Sequence, residues 1–359
     1  MLRAGLVGLP SSGKTTLFQL LTSAREAPRP QGRAEANVGV SRVPDDRLDR
    51  LTALFNPKKR VPATVEFADM AAGRSDAKSL VDVVAYRNAD ALLHVVRAFR
   101  DPSVPHPQGH VDPVRDLRTI EDELILADLG GIERRLERLE KDLKKTPSPD
   151  LKKEQEILVR GKECLEGGRA LRTMGLSGDE ARRLRGFQFL SAKPLLIVVN
   201  LDEADVATAE SGAFAPAVQT YLTETLAGGV GVCAKIELEI AQLDPADALA
   251  FMSDLGLRQS GLDRVIRAAY ELLGYISFFT VGEDECRAWS IPRATIAQEA
   301  AGAIHSDIQR GFIRAEVVPC DRLLARGSLA ACRDHGELRL EGKEYLVADG
   351  DVIEFRHAT

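Results

Sequence analysis

The sequence predicts an α/β protein with a mostly parallel sheet, interrupted by a helical arm and followed by a separate α+β domain. Three observations carry this. Residues 8–16, Gly8-Leu9-Pro10-Ser11-Ser12-Gly13-Lys14-Thr15-Thr16, match G-x-x-x-x-G-K-[ST] between an apolar run and a helical pattern. Apolar runs at 2–7, 64–68, 91–96, 194–199 and 229–232 alternate with helical stretches, as in a sheet covered on both faces. From Ser277 onward the pattern breaks into many short β-type stretches.

The first element is the strand Leu2–Val7, and Leu17-Phe18-Gln19-Leu20-Leu21 continues as a helix. A glycine loop between strand and helix points backbone N–H groups and a helix N-terminus at one place, which suits an anion. Gly8 and Gly13 permit backbone angles that a Cβ opposes. Lys14 supplies a point charge for outer phosphates, and the Thr15 hydroxyl suits Mg²⁺.

Residues 24–36 show no period and read as an exposed loop. Val38–Val43 reads as a strand, and Pro44-Asp45-Asp46 caps a helix carrying Leu48, Leu51 and Leu54 on one face. Thr64–Ala68 is the next strand, ending at Asp69. Ligands of open α/β sheets collect at the carboxyl ends of strands. Asp69 is therefore placed to hold Mg²⁺ directly or through water, with a turn-capping Asp as the alternative. A helix over 77–88 leads to the strand Ala91–Val96, where His94 reads as a satisfied structural histidine. Residues 101–113 hold four prolines and read as a loop.

From Ile120 the period changes. Leu129, Ile132, Leu136, Leu139 and Leu143 step by three and four with charged residues between them. Thr146-Pro147-Ser148-Pro149-Asp150 stops one helix and starts another, whose seam is Ile157, Gly161, Cys164, Gly168 and Leu171. This predicts an antiparallel coiled-coil arm, either a rigid strut or a partner-contacting lever. The sheet resumes at Pro194–Val199, ending in Asn200-Leu201-Asp202-Glu203, and at Gly229–Val232, ending in Cys233-Ala234-Lys235. Asn200 and Glu203 can present an amide and a carboxylate to a base edge, and Lys235 can lie beside the base, although ordinary loop polarity reads equally well.

Helices are expected at 244–254 and 261–273. The C-terminal strands are read at 277–281, 287–291, 315–318, 337–340, 344–347 and 352–355, with one helix near 295–307 and a turn at Asp349-Gly350-Asp351. The boundaries follow as 1–125, 126–190, 191–275 and 276–359.

Composition sets limits. With 44% hydrophobic and 28% charged residues the chain is an ordinary globular protein, and a net charge of −6 argues against general nucleic-acid coating. The basic triplet Lys58-Lys59-Arg60 reads as a solvated loop. Five scattered cysteines without C-x-x-C pairs argue against zinc and fit reduced thiols. The first strand leaves no room for a signal peptide and no apolar run reaches bilayer length, so a cytoplasmic protein with no membrane partner is expected.

The whole pattern resembles the YchF subfamily of Obg-like P-loop proteins. The resemblance rests on Gly8-Leu9-Pro10, Asn37-Val38-Gly39-Val40, Thr64-Val65-Glu66-Phe67, His94-Val95-Val96-Arg97, the inserted arm and Asn200-Leu201-Asp202-Glu203. It is longest in the C-terminal part, through Arg287-Ala288-Trp289, Gly311-Phe312-Ile313-Arg314-Ala315-Glu316-Val317 and Asp349-Gly350-Asp351-Val352-Ile353, a block similar to the TGS domain, a β-grasp fold. It implies a Mg²⁺-dependent ATPase in a GTPase-type fold, binding ATP with GTP weaker, and associated with the ribosome or ribosomal RNA. By resemblance Ser11, Ser12, Gly13, Lys14, Thr15 and Thr16 hold phosphates, and Thr15 binds Mg²⁺. Asn200, Leu201 and Glu203 meet adenine, and Phe99 stacks on it. Lys14 and Asp69 carry the catalytic half.

Leu201 and Glu203 stand where guanine-binding relatives have the Lys and Asp of N-K-x-D, which relaxes selection for guanine. Three departures touch hydrolysis. Arg33 stands at the switch threonine, Asp69-Met70-Ala71-Ala72-Gly73 puts the D-x-x-G glycine one residue late, and the following glycine-rich segment is shortened to Arg74-Ser75-Asp76-Ala77-Lys78. An ATP-binding protein with little hydrolysis, or a true GTPase, are the alternatives.

Overall fold

The computed structural model describes residues 3–22, 37–69, 83–146 and 148–358. Arg33, Gly73, Arg74, the loop expected at 24–36 and the start of the helix expected at 77–88 lie outside these residues.

In chain order the strands are β1 (Arg3–Val7), β2 (Asn37–Arg42), β3 (Lys59–Val61), β4 (Thr64–Asp69), β5 (Ala91–Arg97), β6 (Leu195–Asn200) and β7 (Gly228–Val232). Five more follow: β8 (Tyr275–Thr280), β9 (Glu285–Pro292), β10 (Phe312–Pro319), β11 (Arg339–Glu341) and β12 (Asp351–His357). They form two six-stranded sheets, ordered β2-β4-β1-β5-β6-β7 and β11-β10-β12-β8-β9-β3.

The chain divides into two compact units, Met1–Val40 with Glu66–Ala269, and Ser41–Val65 with Tyr270–Thr359. The first holds the parallel core β4-β1-β5-β6-β7. Every residue of β5 and β6 is buried, as expected of central strands covered on both faces. The core over this sheet includes Leu92, Val96, Ile197 and Val199, with Leu117, Ile120 and Leu124 from a long helix.

That helix runs Pro113–Lys145, 33 residues, and starts seven residues before the expected Ile120. The Asp112 carboxylate accepts the Arg115 N–H at 3.1 Å and Pro113 sits at the first helical position. These start signals are hidden at the end of the proline-rich loop. The return helix is Pro149–Glu166 and stops at Gly167, so Gly168 and Leu171 of the expected seam lie beyond it. The pair is antiparallel: Arg135 pairs with Glu154, while Glu133, earlier in the first helix, pairs with Lys162, later in the second. Ile125, Ile132, Leu139, Ile157, Leu158 and Leu165 form a core of their own, closed by Leu171, Leu184 and Phe189 from the returning chain.

Polar groups lock the base of this arm. The buried Asp128 carboxylate accepts the backbone N–H of Leu190 (3.0 Å) and Ser191 (2.7 Å) and the Ser191 hydroxyl (2.6 Å). Glu121 and Arg172 make a buried ion pair, and Arg172 also donates to the Thr225 carbonyl at 2.8 Å.

In the second unit, residues 41–65, placed within 1–125 by the sequence, pack with the C-terminal strands. β3 pairs with β9, and Arg47 joins Asp45, the cap of helix Asp46–Phe55, to Asp349 at 2.8 Å. Of the expected apolar face of that helix, Leu48 and Leu51 are buried, whereas Leu54 is exposed. Glu344–Val347 is not a strand, since only an isolated bridge joins Leu346 to Ile296. There the Ala297 and Val347 N–H groups reach across to the carbonyls of Tyr345 and Thr295 without a continuing ladder. Helices at Cys320–Arg326 and Leu329–Asp334 lie in the chain between the paired strands β10 and β11. All five cysteines are free and buried. No helix of the described residues is long and apolar enough to cross a membrane.

Candidate nucleotide site

The phosphate loop turns between β1 and the helix Lys14–Thr22. Gly8 has φ +149°, and a Cβ there would lie 2.3 Å from the Val95 carbonyl oxygen. Gly13 has φ +95°, and its Cβ would lie 2.4 Å from Asn200 Nδ2. Ser11 occupies the left-handed region with φ 62°, a cost of the kind concentrated at ligand clamps. The loop is held from outside by Asn200. This buried side chain donates from Nδ2 to the Ser12 carbonyl (3.1 Å) and accepts the Ala234 N–H at Oδ1 (3.1 Å). The Asn200 carbonyl accepts N–H groups from Ala98 (2.8 Å) and Phe99 (3.1 Å). One residue at the end of β6 thereby ties together the phosphate loop, the loop after β5 and the start of helix Ala234–Ile240.

Lys14 Nζ donates to the Leu9 carbonyl at 2.8 Å, and burial holds its pKa below the usual lysine range. Thr15 Oγ1 donates to Asp69 Oδ2 at 3.3 Å. Burial raises the Asp69 pKa, opposed by the Lys14 charge and the Thr15 hydroxyl. A buried carboxylate beside a hydroxyl offers two hard oxygen donors, the chemistry Mg²⁺ prefers. Ser12 Oγ is buried and has no hydrogen-bond partner among the described residues, so the loop retains an unspent donor. Thr16, on the first helical turn, is half-buried.

The expected base-side residues divide. Leu201 follows Asn200 directly, with its N–H bonded to the Val232 carbonyl at 2.7 Å. Glu203 and Lys235 are exposed and form an ion pair with each other, on the segments that follow β6 and β7. Phe99 lies beside Asn200, but the Arg97 guanidinium covers one ring face at 4.4 Å from the centroid.

Arg97 is a residue that periodicity misses. It is 3% exposed and donates to the carbonyls of Phe99 (3.2 Å), Asp101 (3.2 Å) and Val104 (2.9 Å), folding the loop after β5. A cation ending a strand that is otherwise apolar except for His94 was its signal, beside its place in the resemblance. Asp202 similarly accepts the Arg100 N–H at 3.0 Å. His94, read as satisfied, keeps Nε2 without a partner among the described residues. Burial, helped by the Lys14 and Arg172 charges, pushes its imidazole down to about 3, so it is neutral. The charged groups that act on it, Lys14 and Arg172, are cations and bring no acceptor to that nitrogen.

Comparison with known proteins agrees with this geometry over the whole length. The YchF-GTPase_C family model, described as a protein of unknown function, matches residues 275–358. The ribosome-binding ATPase YchF of Bacillus subtilis (strain 168) is 44% identical over 362 residues, covering 99% of each chain. The Obg-like ATPase 1 of Caenorhabditis elegans is 36% identical over 364 residues, covering 99% of this chain and 92% of that one. A solved structure of the Schizosaccharomyces pombe YchF GTPase superposes with a TM-score of 0.87 at 30% identity, covering 99% of this chain and 97% of that one. With a phosphate loop clamped by Asn200 and likeness from end to end, the chain belongs to the YchF family of Obg-like ATPases.

Proposed function

We propose that this chain is an ATP-binding switch that hydrolyses ATP slowly with Mg²⁺ and associates with the ribosome. One observation carries the reading: three segments distant in sequence close on one point, through the Asn200–Ser12 and Thr15–Asp69 hydrogen bonds. Relatives named ribosome-binding ATPase, alike over the full length, support the activity and the partner.

In this reading the N–H groups of the loop, Ser12 Oγ and Lys14 hold the triphosphate, and Thr15 and Asp69 hold Mg²⁺. The metal, when bound, supplies charge neutralisation between the phosphates. Lys14 swings from the Leu9 carbonyl to phosphate, a better partner for a desolvated ammonium. Asn200 fixes the loop against the base-binding segment. Leu201 and Phe99 give that segment apolar surface, and Glu203 with Lys235 closes its rim. Because Glu203 is longer than Asp and already paired, it does not enforce guanine, and ATP is preferred with GTP weaker. The helical arm (126–190) and a TGS-type β-grasp domain (276–359, completed by residues 41–65) serve as docking elements, and the rest of 1–125 and 191–275 forms the nucleotide domain.

A single-turnover assay with Mg²⁺-ATP tests this. Phosphate release above a Lys14→Ala control is expected, and no release over hours refutes hydrolysis. The late glycine in Asp69-Met70-Ala71-Ala72-Gly73 favours a second reading, ATP held with little turnover, which that null result would support. Calorimetry showing GTP bound more tightly than ATP would refute the adenine preference.

A further inference from the structure

We infer that a second ligand site lies at the opposite edge of the sheet from the phosphate loop, in a cleft that takes the phosphodiester backbone of single-stranded RNA. The cleft encloses about 620 Å³, within the range of ligand sites. It is bounded by the turn Arg87–Asp90 that enters β5, by Lys193 and Pro194 that enter β6, and by Arg185, Gln188 and Phe189 at the base of the arm. The nucleotide site sits at the other ends of the same strands. Seven residues of β5 put the two about 20 Å apart.

The chemistry of the lining is specific. Arg87 and Arg185 are exposed, and neither has a carboxylate within ion-pair distance among the described residues. Asp90 is the single acid of the lining, and its carboxylate already accepts the Arg3 N–H at 2.9 Å. Lys193 donates to the carbonyls of Arg87 (3.0 Å) and Ala89 (2.5 Å), which fixes the turn presenting Arg87 and Asn88. Two guanidinium forks, one of them on this braced turn, suit phosphate oxygens. Asn88 and Gln188 are exposed amides able to meet base edges. Phe189 forms an apolar floor and stacks on Phe187, with centroids 5.2 Å apart and planes 9° apart. Basic and aromatic residues interleave in Arg182-Arg183-Leu184-Arg185-Gly186-Phe187-Gln188-Phe189, the composition of sites that hold single-stranded nucleic acid. In a chain of net charge −6 such a site has to be local. The exposed amides beside the arginines, able to meet base edges, favour RNA over an acidic peptide. The inference rests on ribosome association for the source of the RNA.

The test uses the full chain and a labelled single-stranded RNA oligonucleotide, read by fluorescence anisotropy at several salt concentrations. Arg87→Glu with Arg185→Glu is expected to weaken binding by about tenfold or more and to lower the salt slope by about two. Arg118→Glu, a single charge reversal on the long helix away from the cleft, is expected to bind RNA as the unaltered chain does, whereas either arginine of the cleft reversed alone weakens binding. Affinity for a fluorescent ATP analogue should stay unchanged in the double variant. If that variant does not fold, the glutamine pair Arg87→Gln with Arg185→Gln takes its place, with a smaller loss in the same direction. Unchanged RNA affinity in a folded variant overturns the proposal, as does tighter binding of polyglutamate than of RNA. Ribosome cosedimentation separates the two readings. A chain that binds RNA through these arginines yet ignores ribosomes keeps the cleft and overturns the association. A chain that cosediments while the double variant binds RNA normally does the reverse.

Discussion

Asn200→Ala isolates the residue on which the nucleotide site is assembled. The substitution deletes two buried hydrogen bonds, Nδ2 to the Ser12 carbonyl and Oδ1 from the Ala234 N–H, each 3.1 Å. It leaves a buried acceptor in the phosphate loop and a buried donor at the start of helix Ala234–Ile240. Stranding a buried polar group costs about 1–3 kcal/mol. Relaxation and water entry recover part of this, so the expected loss is about 2–4 kcal/mol. Urea denaturation should show a lower midpoint with an unchanged slope. Because the loop loses its outer clamp, affinity for a fluorescent ATP analogue should fall by about tenfold or more, equivalent to about 1.4 kcal/mol. Asn200→Asp keeps the acceptor for Ala234 but turns a carboxylate toward the Ser12 carbonyl, and should impair nucleotide binding at least as much. A stability loss below about 0.5 kcal/mol together with unchanged affinity would refute the clamp.

Three further outcomes follow from the same geometry. Gly8→Ala places a Cβ 2.3 Å from the Val95 carbonyl in a backbone conformation that side chains avoid, and should cost about 3 kcal/mol or more by urea denaturation; a loss below about 1 kcal/mol contradicts the contact. His94 has its pKa lowered to about 3 from 6.5, so the unfolded chain takes up the proton first. The resulting stability is present above pH 6.5 and lost as pH falls toward 3, at up to about 1.4 kcal/mol per pH unit; in His94→Leu that part of the acid slope should vanish, and identical profiles would count against it. Leu201→Lys with Glu203→Asp restores N-K-x-D and should raise GTP affinity relative to ATP by about tenfold in calorimetry, a discrimination of the order a buried hydrogen-bonding partner gives; an unchanged ratio removes Glu203 from base selection.

The parts of this fold legible in the sequence are those whose physics is local. β5 and β6 declare themselves because central parallel strands are apolar on both faces. The phosphate loop is legible because its glycines, lysine and threonine act within nine positions. The clamp by Asn200 is not, since it reaches Ser12 across 188 residues, and no spacing rule connects them. Arg97 hides for a related reason: its partners are backbone carbonyls, which every sequence possesses. Glu344–Val347 has strand composition but lacks a continuing neighbour, so tertiary context overrides its propensity. The pairing of Glu203 with Lys235 joins two loops that the sequence brings only near one sheet edge.

The helix Pro113–Lys145 belongs to two cores at once, seated on the sheet through Leu117, Ile120 and Leu124 and running on into the arm through Ile132 and Leu139. From Ile125 to its end it projects about 30 Å without a break. A tilt of about 5° at the seat carries the far tip roughly 3 Å. By the same geometry a displacement at the tip acts on the sheet that bears the phosphate loop, with Asp128 pinning the arm where it leaves the sheet.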